Sequence, residues 1–148
     1  MSTRDHTSTF IVVGVLIVMF GITFALMAPS ARKAEADEAA ATGAANTLLH
    51  ALGRGDGAEA CGVLTKPAAT ALTTQQGQED CPAAVRDLAD SLTAAERAAV
   101  AAMKLTDDDT RAEKRRTTHT VRLDTNPFGY TRFLVDRQDD EWRVIRME

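Results

Sequence analysis

Three sets of side chains in this chain have the chemistry for a functional site: the histidines His50 and His119, the cysteines Cys61 and Cys81, and the carboxylate run Asp107-Asp108-Asp109. His119 is the candidate for proton transfer, since a neutral imidazole held in a cavity acts as a general base near neutral pH. It alternates with Thr117, Val121 and Leu123, so these four share one face of a strand, with Thr118, Thr120 and Arg122 on the other. The competing reading is a core histidine bonded to a neighbour, or an exposed one if the faces are reversed. His50 falls beside Leu49 on a helical pattern and reads as a helix-surface residue. No Ser-His-Asp order and no metal-ligand spacing connects these residues, so nothing here amounts to a catalytic signature.

The two cysteines, 20 positions apart, fit a disulfide in an oxidising compartment. Closing such a loop stabilises a fold by about 3 kcal/mol in the chain-entropy model. The alternative is a pair of unlinked, buried small apolar residues. A redox or metal role fits less well, because neither sits in a CxxC and no histidine lies close in sequence. Three consecutive aspartates attract hard cations, but without a glycine turn or a distant glutamate they read as a solvated turn. The basic residues that follow, Arg111, Lys114, Arg115 and Arg116, form a small patch for acidic lipid headgroups or a partner, or one that neutralises the neighbouring acids. No metal or cofactor is expected.

The location of this chemistry is set by Phe10 to Ala28, a 19-residue run without a charge. As a helix it measures about 28 Å, close to a bilayer's hydrocarbon thickness. The run is longer than the apolar stretch of a cleaved signal peptide and its n-region holds only Arg4, offset by Asp5. We therefore expect an uncleaved signal anchor, with cleavage after Ala28 or a buried helix as the alternatives. Positive-inside counting opposes export, with Arg4 on one side and Arg32 and Lys33 on the other. The paired cysteines favour it and are given more weight. The resulting division is a cytoplasmic tail over 1–9, the anchor over 10–28, an Ala-rich charged stalk over 29–42 and an extracytoplasmic domain over 43–148, with the lipid bilayer as a partner through 10–28. A net charge of −4 argues against a nucleic-acid partner.

Within that domain the pattern changes once, from helical to strand-like. Ala44, Leu48, Ala51 and Leu52 recur at helical spacing, and Gly53-Arg54-Gly55-Asp56-Gly57 ends that helix. Asp56 with Glu59, and Thr93 with Glu96, have capping-box spacing and open helices through Leu64 and over 94–102. Thr65-Lys66-Pro67 starts another, and Pro82 occupies the first turn of a helix whose buried stripe is Val85, Leu88 and Leu92. Strands are expected over 115–123, 130–137 and 141–147. Three hairpin-linked strands after a set of helices indicate an α+β domain, helices packed on one face of an antiparallel sheet.

The segment Asn46-Thr47-Leu48-Leu49-His50-Ala51-Leu52-Gly53-Arg54-Gly55-Asp56, with Ala60-Cys61, Leu64, Cys81-Pro82 and Asp140-Glu141-Trp142-Arg143-Val144, resembles the small exported, membrane-anchored NTF2-like (SnoaL-like) domains of high-GC Gram-positive bacteria. The resemblance covers about residues 40–148. It implies a curved sheet wrapped around helices as a cone, whose lining would include His119, Val121, Tyr130 and Trp142. Two departures are the lack of a convincing strand over Val100 to Thr106 and the aspartate run that interrupts it. The function expected is a non-catalytic module binding a ligand or protein partner at the cell envelope, with homodimerisation through the sheet as one form of partnership. The alternatives are an assembly subunit of an envelope secretion or transport complex, and a small cone-fold isomerase or dehydratase using His119. Fold does not choose among them.

Overall fold

In a computed structural model of the chain, residues 31–113 and 117–148 are described. The stretch Asp37–Glu148 is one compact unit. Of the preceding unit, Met1–Ala36, residues 31–36 are described and are helical. The proposed tail and anchor, residues 1–28, and the basic residues Lys114, Arg115 and Arg116 lie outside the described residues. Among the described residues no helix is long and apolar enough to cross a membrane.

Within the compact unit the first helix among the described residues, α1, runs over residues 37–54. Its buried stripe is Ala41, Ala44, Ala45, Leu48, Leu49, Ala51 and Leu52, the spacing of one helix face. Core residues thus begin inside the segment read as a stalk. Gly55 ends the helix at φ +68°, a conformation that costs glycine nothing. Its amide and that of Asp56 donate to Leu52 O and Ala51 O. Four shorter helices follow: α2 (Gly57–Val63), α3 (Lys66–Gln76), α4 (Cys81–Asp90) and α5 (Ala94–Ala102). Side chains cap three of these helices. Asp56 Oδ1 accepts from Glu59 N, Asp80 Oδ1 from Ala83 N, and Thr93 and Glu96 complete a reciprocal box. At the Asp56 cap only half of the box forms, because the Glu59 carboxylate turns to Arg54 instead.

The sheet is an antiparallel meander in the order β1-β2-β3-β4: Thr110–Ala112, His119–Arg122, Arg132–Gln138 and Glu141–Met147. The expectation of three strands is corrected to four. The extra strand follows the aspartate run directly, and a hydrogen bond of 2.7 Å between the buried hydroxyls of Thr42 and Thr110 ties it to α1. The Asp107–Asp109 segment is a single 3-10 turn whose last carboxylate accepts from Thr106 N and Oγ1. That turn re-aims the chain, so the acids precede the strand instead of breaking it. Asp139 and Asp140 have φ of 49° and 67°, as the two-residue hairpin between β3 and β4 demands. A bulge between Leu134 and Val135 interrupts the β3–β4 register and bends the sheet locally.

The helices cover one face of this sheet. Val121, Phe133, Val135 and Val144, all fully buried, meet the α1 stripe, Leu64, Leu72, Val85 and Val100 in one cluster. Leu64 forms a parallel bridge to Val144, and Thr65 N donates to Val144 O, covering part of the β4 edge. Cys61 and Cys81 are joined, Cα to Cα 6.1 Å, and staple α2 to the start of α4.

Candidate functional site

The alternation is realised over His119–Arg122 and turns His119 inward, whereas before the strand Thr117 is exposed and Thr118 buried, the reverse of the faces expected for them. His119 is 6 % exposed and Val121 is fully buried, while Arg122 is exposed. The His119 Nδ1–H donates to Thr117 O at 3.2 Å. Its ring meets Trp142 edge-on, centroids 4.9 Å apart at 83°, a geometry in which ring edge and π-face attract. Register explains the meeting: His119 lies opposite Val135, one pleat from Arg137, which is opposite Trp142. Among the described residues no carboxylate is bonded to His119.

Tyr130 takes a different place. Its ring stacks obliquely on Phe133 (5.9 Å) and Phe128 (6.4 Å). The phenol oxygen is buried without a hydrogen-bond partner among the described residues, and burial raises its pKa. Asn126 fixes the turn before it, donating from Nδ2 to Asp124 O and Tyr130 O. The four residues named as a cone lining therefore form two groups: His119 with Trp142, and Tyr130 with Val121 around Phe133. Between them the interior is filled by Phe133 and Val135.

A separate open space lies on the helical side. A cleft of about 570 Å³ opens between α1 and α5, lined by His50, Gly53, Arg54, Arg97, Ala98 and Ala101. Its size is within the range of small-molecule sites. His50 is half-buried rather than on the open surface, because its Nε2–H donates to Met103 O at 2.7 Å. One turn earlier, Asn46 makes a two-way clamp on Leu105, Nδ2 to O and Oδ1 from N, both 2.9 Å. The chain leaving α5 is thus held along α1 by side chains at 46 and 50.

No protein-family model, curated protein or solved structure matches this chain. Geometry alone therefore ranks the surfaces. His119 is packed and hydrogen-bonded to backbone, whereas the α1–α5 cleft presents polar and cationic groups to solvent. Reading the residues by strand and cap missed the cleft. Its signal was nonetheless present, since Asn46, His50 and Arg54 recur at i, i+4 and i+8 and so share one helix face. What α5 contributes to the cleft is not encoded in that spacing.

Proposed function

We propose that this protein is a membrane-anchored, extracytoplasmic module of NTF2-like fold that binds a ligand or protein partner at the cell envelope and performs no reaction on it. The observation that carries the reading is the Cys61–Cys81 disulfide, since such bonds persist in oxidising compartments and are rare in the cytosol of mesophiles. The run from Phe10 to Ala28 supplies a segment of spanning length ahead of it. Helices on one face of a bulged antiparallel sheet support the NTF2-like cone. The backbone hydrogen bond and edge-on tryptophan contact give His119 a packing role in that cone.

Labelling of intact cells with a membrane-impermeant maleimide, with and without prior reduction, tests the reading. Mass addition at both cysteines only after reduction is the expected result. Labelling without reduction would keep the location and remove the bridge. Labelling only after the membrane is broken would place the domain in the cytoplasm and overturn the proposal.

A further inference from the structure

We propose that the cleft between α1 and α5 is a binding site for a small phosphate-bearing ligand, gripped between Arg54 and Arg97. This deepens the ligand-binding reading above and rests on it for the existence of a ligand, but not for the compartment. Arg54 comes from the last turn of α1 and Arg97 from the first half of α5, and both line the cleft with His50. Guanidinium groups arriving from two elements suit a tetrahedral oxyanion, which offers more acceptor oxygens than one carboxylate and accepts forked donors.

The carboxylate beside Arg97 does not neutralise it. Glu96, beside Arg97, is turned into the α5 cap, where its Oε2 accepts from Thr93 N at 2.8 Å and Thr93 Oγ1 at 2.7 Å. Those bonds lower its pKa and keep it a fixed acceptor for the cap. Arg97 makes no ion pair among the described residues. Arg54 pairs with Glu59 through one nitrogen, Nη2, which leaves its other N–H groups for a ligand. Exposed pairs of this kind contribute little and rearrange readily.

Two features prepare the walls. A Cβ built on Gly53 would lie 2.6 Å from Val100 Cγ1, so glycine lets α5 sit directly against α1 at this site. His50 is oriented on the cleft wall by its bond to Met103 O.

The test is a titration of the full chain in non-ionic detergent with inorganic phosphate at constant ionic strength, followed by NMR of the histidine rings and arginine Nε–H groups. The expected result is a saturable shift of the His50, Arg54 and Arg97 signals with His119 unmoved. Arg97→Ala should weaken the response about tenfold or more, as loss of a charge-assisted pair predicts. A second arm replaces phosphate by bilayer discs of phosphatidylglycerol or phosphatidylcholine. The same shifts on the anionic discs alone assign the phosphate to a lipid headgroup, and their absence there assigns it to a free ligand. A chain giving native His119 and Trp142 signals but no saturable shift in either arm overturns the proposal. So does an Arg97→Ala variant with an unchanged response. Because the readout is in solution, its failure is separate from a failure of the location test.

Discussion

Between α2 and α4 the backbones approach so closely that a Cβ on Gly57 would lie 2.5 Å from the Pro82 Cα. Across the sheet the space is instead filled by rings and branched chains, with Phe133 fully buried opposite Val121 on one side and Met147 on the other. The charges divide along the same line. Residues 31–109 hold seven Lys and Arg against thirteen Asp and Glu, while residues 110–148 hold nine against seven. The helical part is therefore acidic and built from small residues, which bury little apolar area each. It relies on caps, close approach and a covalent staple. The sheet part draws its stability from large side chains. Within this acidic layer the α1–α5 cleft is the exception, a place where arginines line the wall and Glu96 is held in a cap.

The largest effect should come from the sheet. Phe133→Ala removes the biggest fully buried side chain and is expected to cost about 3–5 kcal/mol. That is a large part of the about 5–15 kcal/mol typical of a small domain, and urea unfolding followed by Trp142 fluorescence would measure it. A loss below about 1 kcal/mol would mean that the sheet does not anchor the fold as described.

Replacing both cysteines by alanine should cost about 3 kcal/mol, read as a lower denaturation midpoint. The loss should also be local. Hydrogen exchange is expected to rise in α2, α3 and the start of α4, which the bridge spans, while β2 to β4 keep their protection. Equal loosening of both parts would dissolve the contrast between them.

The smallest effect concerns the α5 cap. The Thr93 hydrogen bonds lower the folded pKa of Glu96 from 4.5. A lowered folded pKa means that the contribution is fully present above the unfolded value and is lost as pH falls through the folded one. Stability measured from neutral pH into this acid range should therefore fall less steeply in Glu96→Gln than in the parent chain. Parallel curves would show that the box carries no pH-dependent stability.

Much of the helical part was legible because capping and termination are local. The Thr93/Glu96 box gave α5 its start, Pro82 marked the first turn of α4, and the glycines after Leu52 marked the end of α1. The two later strands were legible from alternation, and Glu141–Met147 has the bounds its pattern suggests. The strand Thr110–Ala112 was not. Three residues after an aspartate run carry too little pattern, and what makes them a strand is pairing with β2 and the Thr42 hydroxyl, 68 positions away. The strand expected over 115–123 is likewise confined, within the described residues, to His119–Arg122.

The sequence by itself determined the class of the domain, the alternation within β2 and the cysteines available for a bridge, because periodicity, caps and composition act over a few residues. Only the tertiary structure decided that His119 packs on Trp142 while Tyr130 packs apart from it, since register and the bulge at Leu134/Val135 set those neighbours. It also decided that His50 and Arg54 meet Arg97 across a cleft. That meeting depends on Gly53 admitting α5 against α1 and on Asn46 and His50 holding the chain that leaves it. Contacts between residues some fifty positions apart carry no local signature, because only packing of the whole chain brings them together.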